Sequence, residues 1–247
     1  MSVGLGNDVV DLKRARIKRL ASNEQFLKRI LSVREQQTVN NSNDPNLELW
    51  SHWAAKEAGF KAISKIMTPT PIFVHADFRI SWSRATSPPE NVAGSVIRAG
   101  SVSYHGLEAD VTVALWPGRV HATAYALTPS KPEAVEIQTR VELLKKPNSS
   151  WAGSFQELRS RLSPQELDAV YSRESAAVRV GAREDLALLL RVEEKRVEIV
   201  CGPGPSGKYP PQVLVDGHPV NADVSLSHDG LWIAWVVWAD NLPGENS

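Results

Sequence analysis

Apolar and polar positions divide the chain into two stretches, each passing from helical to strand spacing. Ser2 to Val10 reads as a short buried strand, with Gly4 and Gly6 allowing close backbone approach. Asp11 to Gln36, charged and leucine-bearing, predicts one or two helices before the polar break NNSNDPN at 40–46. Leu47 to Ile66 carries apolar residues at helical spacing and predicts a helix ended by Pro69 and Pro71. The texture then turns β-branched and aromatic, predicting strands at Ile72–Trp82, Val102–Tyr104, Ala109–Trp116 and Arg119–Leu127. Thr128 to Ser150 holds three prolines and many charges, which predicts a connection near Pro129–Pro132.

The second half repeats that order. Phe155–Arg161, Pro164–Tyr171 and Ala176–Glu193 read as helices, with Ser163 as an N-cap and Glu166 three residues on. Strands follow at Val197–Cys201, Val213–Val215, Asp223–Leu226 and Leu231–Trp238. The expectation is an α+β chain of two similar lobes, 1–129 and 130–247.

Composition narrows the function classes. Twenty-eight basic residues balance 28 acidic ones, so net charge supports neither a nucleic-acid nor a membrane partner. One cysteine, Cys201, excludes an internal disulfide and a multi-cysteine metal site. The first residues lack the apolar core of a secretion signal, and no apolar run approaches the roughly 20 residues that span a bilayer. A cytoplasmic protein is expected.

Several familiar patterns fail. Residues 202–208, GPGPSGK, resemble a phosphate loop, but Tyr209, Pro210 and Pro211 replace the required hydroxyl and oppose the required helix. Gly4-Leu5-Gly6 lacks the third glycine of a dinucleotide fingerprint. Ser227 and His228 are strand neighbours pointing to opposite faces, a poor nucleophile–base pair.

A different constellation survives. In WAAKEAGFKA (Trp53–Ala62), Trp53, Glu57 and Lys61 form one helical stripe, flanked by Lys56. Such a stripe is either a solvated face with an ion pair or a site for a metal and a polyphosphate. Asp8, between VGLG and VVDL, is either a turn former or a carboxylate at a strand edge in apolar surroundings. In the second reading, Asp8 and Glu57 supply two hard oxygen ligands, which suits Mg²⁺. Ser227 and His228, in VSLSHDG, either end a strand quietly or present a hydroxyl and an imidazole to a phosphate.

In combination these segments resemble the 4′-phosphopantetheinyl transferase superfamily, with its G-x-D start, its W/F-x-x-K-E-A-x-x-K signature and its S-x-S-H motif. Residues 1–66, including FLKRILSVREQ, look like the small holo-acyl-carrier-protein synthases. Residues 162–238, with LSPQEL, Tyr171, Arg179, Arg183 and Lys208, look like the N-terminal lobe of the surfactin-synthetase-type transferases. The lobes stand in permuted order. Val10 replaces a second acid that the larger enzymes often carry, and Asp11 stands at the small synthases' glutamate position.

The resemblance implies a pseudo-dimer of the superfamily fold, a monomer with one composite site. It implies transfer of 4′-phosphopantetheine from coenzyme A to a serine of an acyl, peptidyl or polyketide carrier protein, with release of 3′,5′-ADP. Asp8 and Glu57 are the implied Mg²⁺ ligands, with Glu57 also a candidate base and Lys61 neutralising charge on the leaving side. Lys56, Arg179, Arg183, Lys208, Ser227 and His228 are the implied coenzyme A-binding residues. RARIKR (Arg14–Arg19) is a candidate for meeting an acidic carrier. The alternative is a silent relative that binds coenzyme A or a carrier without transfer.

Overall fold

The computed structural model describes residues 3–14, 17, 20–83, 95–127, 137–204 and 207–240, with the backbone alone for Gly207 and Lys208. The chain divides into two units, Met1–Lys131 and Pro132–Ser247, and both mix helix with antiparallel sheet in an α+β architecture.

In the first unit, β1 (Val3–Asp11) leads to α1 (Glu24–Ile30), α2 (Val33–Asn40) and α3 (Pro45–Ile66). Strands β2 (Arg79–Trp82), β3 (Val96–Tyr104), β4 (Leu107–Trp116) and β5 (Arg119–Leu127) follow, in the sheet order β1-β5-β4-β3-β2. Helix α3 begins where the Asp44 side chain accepts the Leu47 N–H, with Pro45 in its first turn. Along β1, Gly4, Gly6 and Asp8 share a face and pair with Ala126, Ala124 and Ala122 of β5. These small residues make a shallow floor on which α3 lies through buried Ala54, Ala58 and Ala62. A Cβ on Gly6 would collide with the carbonyl oxygen of Ala58, and one on Gly4 with that of Ala62. Gly6→Ala is therefore expected to lower stability by about 1–3 kcal/mol, because a backbone atom cannot rotate aside. A fall in the denaturant midpoint checks this.

The second unit holds β6 (Gln138–Leu143), α4 (Phe155–Ser160), α5 (Pro164–Leu167), α6 (Arg173–Leu190) and β7 (Val197–Val200). It continues through β8 (Pro203–Gly204), β9 (Gly207–Lys208), β10 (Gln212–Val215), β11 (His218–Pro219), β12 (Ala222–Asp229) and β13 (Trp232–Ala239). The sheets run β12-β13-β6, β11-β10-β7 and β8-β9. Gly181 of α6 lets the Trp235 ring of β13 lie against the helix, and Trp151 closes edge-on at 5.4 Å. Strand β6 falls where the sequence reading assigned no element, and the connection expected near Pro129–Pro132 lies outside the described residues.

Strand order repeats between the units. The opening strand pairs with the last, and the last pairs with the one before it: β1-β5-β4, then β6-β13-β12. A buried ion pair repeats with it, contact for contact. Ser32 and Glu35 form a capping box at α2, and Ser163 and Glu166 form one at α5. The Glu35 carboxylate also accepts the N–H of Ile80 at the start of the next strand; Glu166 accepts that of Ile199. Lys56 of α3 donates to Glu35 (2.7 Å), Ile30 O (3.0 Å) and His75 O (3.1 Å). Arg183 of α6 donates to Glu166 (3.0 Å), Arg161 O (2.7 Å) and Glu194 O (3.0 Å).

These contacts correct two sequence expectations. Lys56 and Arg183, implied as coenzyme A ligands, are 0% and 3% exposed and hold helix to loop inside each unit. All three Lys56 donors are engaged. Ile72–Trp82, expected as one strand, pairs only from Arg79, because the main chain at His75 is tied to Lys56 rather than to a ladder.

Candidate functional site

Asp8, third in the Gly4–Gly6–Asp8 row, is brought to α3 by the glycines before it. Lys61 spans the gap, donating to Asn7 O at 2.7 Å and standing 3.4 Å from Asp8 Oδ1. Glu57 lies one turn earlier on the same face of α3. The three side chains are 14%, 21% and 28% exposed for Asp8, Glu57 and Lys61, enough to meet a ligand while shielded from bulk water. The stripe read from the sequence is thus assembled, with Trp53 at its head stacked on Phe26 at 5.8 Å. Asp11 instead accepts the Lys13 N–H and shapes the turn after β1.

Sequence reasoning missed His75. Its Nε2 stands 3.4 Å from Glu57 Oε1, and its ring lies between Trp53 (4.2 Å) and Phe73 (4.1 Å). It sits in a loop after two prolines, where no periodicity points to it.

His121 of β5 is also close by. Burial first, then the charges of Arg119 and Lys61, push its imidazole down to about 3. The unfolded chain takes up a proton below the ordinary value of 6.5, while the folded chain resists until about 3. This contribution to stability is therefore complete above the unfolded value and declines as pH falls through that window. From about pH 7 to about pH 5 the loss amounts to about 2 kcal/mol. Urea titrations at both pH values check it, and His121→Phe is expected to flatten that slope.

The donor set fits a small hard cation. Two carboxylates beside an ammonium suit an ion that completes its shell with water and phosphate oxygens, as Mg²⁺ does. Among the described residues no group of three or more His, Cys, Asp or Glu could hold a metal ion, so the two carboxylates would need water and substrate oxygens to complete a shell.

The second unit is built differently at the same positions. Strand register matches Asp8 with Arg140, since Ala122 and Trp235 stand equally far from their hairpin turns. Matching Lys56 with Arg183 pairs Glu57 with Glu184 and Lys61 with Leu188. Arg140 is bound to Asp185 at 2.8 Å, and Trp235 donates to the same oxygen at 2.7 Å. An internal ion pair therefore occupies the position that matches Asp8. In the other direction, Ser227 and His228 of β12 match Ala114 and Leu115 of β4.

Among the implied ligands of the second unit, Ser227 is buried and His228 exposed. At the start of α6, Glu174 is held below the usual carboxylate range, first by its own backbone N–H, then by Ser172 and the charges of His228 and Arg173. Arg179 is 6% exposed, donates to Ser175 O and points its other terminal nitrogen at Cys201 Sγ, 3.7 Å away. Its Nε finds no hydrogen-bond partner among the described residues, a state that suits an anion acceptor. The Lys208 side chain and most of RARIKR lie outside the described residues.

The family model of the 4′-phosphopantetheinyl transferase superfamily matches residues 4–115, which contain Asp8, Glu57 and Lys61. Over those residues the chain is similar to that superfamily. Two curated superfamily members match over 63 residues, or 26% of this chain: the holo-[acyl-carrier-protein] synthases of Hydrogenovibrio crunogenus, 40% identical, and Protochlamydia amoebophila, 35% identical. The matches cover 50% and 52% of those proteins, so the chain spans about half the length of these relatives. The crystal structure of the Thermotoga maritima holo-[acyl-carrier-protein] synthase aligns at 18% identity and a TM-score of 0.36, over 66% of this chain and 76% of that one. Among the described residues no helix is long and apolar enough to cross a membrane.

Proposed function

We propose that the chain transfers the 4′-phosphopantetheine group of coenzyme A to a serine of an acyl or peptidyl carrier protein, releasing 3′,5′-ADP. The observation that carries this reading is the Asp8–Lys61 contact between β1 and α3, with Glu57 one helical turn away. Phosphoryl transfer of this type needs in-line positioning and neutralisation of charge more than covalent help. Asp8 and Glu57 are the residues that would hold Mg²⁺, which when bound neutralises diphosphate charge.

Lys61, fixed by Asn7 O, places its ammonium beside the same charge and steadies the leaving side. Glu57, about one-fifth exposed at 21%, is the candidate to accept the serine proton directly or through water. Within the second unit, Arg179 offers a guanidinium whose fork suits a phosphate.

The test is to incubate the protein with coenzyme A, Mg²⁺ and an apo carrier and to weigh the carrier. A gain of one phosphopantetheine group supports transfer. Coenzyme A or carrier binding without mass gain points instead to a silent relative.

A further inference from the structure

We propose that His75 is a positioning residue that fixes the Glu57 carboxylate in the orientation its role as a cation ligand requires; this rests on the proposed function. The imidazole has little freedom. Trp53 and Phe73 pack tilted against its ring at 4.2 and 4.1 Å, and Phe26 stacks on Trp53. Lys56 grips the His75 carbonyl at 3.1 Å from within the unit. Held this way, Nε2 stands 3.4 Å from Oε1 of Glu57, a charge-range contact rather than a formed hydrogen bond, and this buried nitrogen makes no hydrogen bond among the described residues. A glutamate on a half-exposed helix face samples several rotamers, and a fixed neighbour narrows that choice before a ligand arrives.

The second unit supplies an internal comparison. Glu194 is the counterpart of His75, since its carbonyl accepts from Arg183 as that of His75 accepts from Lys56. Its side chain turns back to Arg183 (3.1 Å) and Arg161 (3.2 Å). Glu184, the counterpart of Glu57, is left to Ser150 and Arg161. The loop is anchored identically in both units. An imidazole aimed at the helix carboxylate occurs only in the unit that also carries Asp8 and Lys61, among the described residues. Anchoring the loop therefore does not account for the histidine, whereas holding Glu57 does. The buried Lys56 acts on the site through the same residue, by seating its carbonyl.

The experiment compares wild type, His75→Phe and His75→Gln. Phenylalanine keeps the packing between Trp53 and Phe73 without a nitrogen; glutamine restores a nitrogen near the position of Nε2. Mn²⁺ affinity of the free protein is measured by calorimetry, and transfer is measured as kcat, the KM values for coenzyme A and carrier, and the half-saturating Mg²⁺ concentration. His75→Phe is expected to weaken Mn²⁺ binding and raise the Mg²⁺ requirement by about tenfold, as loss of an outer partner of a metal ligand does. Its kcat should fall, both KM values should hold, and His75→Gln should recover most of the loss.

Wild-type Mn²⁺ affinity and kcat in His75→Phe overturn the inference while leaving the transferase reading intact. A wild-type chain that transfers nothing overturns both. If His75→Phe does not fold, His75→Asn, which cannot reach Glu57, serves under the same criteria.

Discussion

Glu57→Gln is expected to slow phosphopantetheine transfer by about a thousandfold with the fold unchanged. Glutamine keeps the shape of the side chain, and Glu57 is partly exposed, so packing on α3 is preserved. The change removes a hard anionic ligand and the site's candidate base together. Several kcal/mol of charge stabilisation, at about 1.4 kcal/mol per factor of ten, gives an effect of that size. Single-turnover transfer followed by carrier mass measures it, and an unchanged thermal midpoint separates chemistry from unfolding. Glu184→Gln is the internal control: it stands at the matching position of α6, holds Ser150 and Arg161, and should transfer at the wild-type rate. Equal rates for wild type and Glu57→Gln would remove the carboxylate from the mechanism.

Lys56→Met is expected to be the most destabilising of the substitutions considered, at about 3–5 kcal/mol, because it strands a buried carboxylate. Burial alone would raise the Glu35 carboxyl. The Lys56 charge and the hydrogen bonds from Lys56, Ile80 and Ser32 hold it below its ordinary value of 4.5 instead. In the wild type, this contribution is present above that ordinary value and is lost as pH falls through the lower folded value. Without Lys56 the shift reverses, and the variant should gain stability on mild acidification as Glu35 becomes neutral. Adding Glu35→Gln to Lys56→Met should recover part of the loss, since no charge is then stranded. Urea midpoints of both single variants and the double variant decide it; additive losses would refute the pairing.

Much of the site is legible in the sequence because it obeys a local rule. Trp53, Glu57 and Lys61 share a helical face by spacing alone, and the helix expected at Leu47–Ile66 runs from Pro45 to Ile66. Strand β5 falls at Arg119–Leu127, where alternation put it. The readings that fail depend on partners far along the chain. Lys56 stands beside Glu57 in sequence but about 100° away around the helix, and Glu35, 21 residues back, draws it inward. Arg183 reads as an implied coenzyme A-binding residue until Glu166 and two carbonyls are seen around it. Strand β6 has a charged, unremarkable sequence and exists because β13 offers it an edge. His75 opens a single 3-10 turn, His75–Asp77, and gains meaning only from the helix opposite.

One consequence follows from the pairing of Val3 with Leu127 and of Gln138 with Val237. In each unit the polypeptide comes in and leaves on neighbouring strands, at the same end of one ladder. A segment with adjoining ends behaves as a cassette: it can be cut out, moved to the other side of its companion and rejoined without disturbing a hydrogen bond inside it. Gene-level shuffling of two such cassettes thus carries little folding penalty.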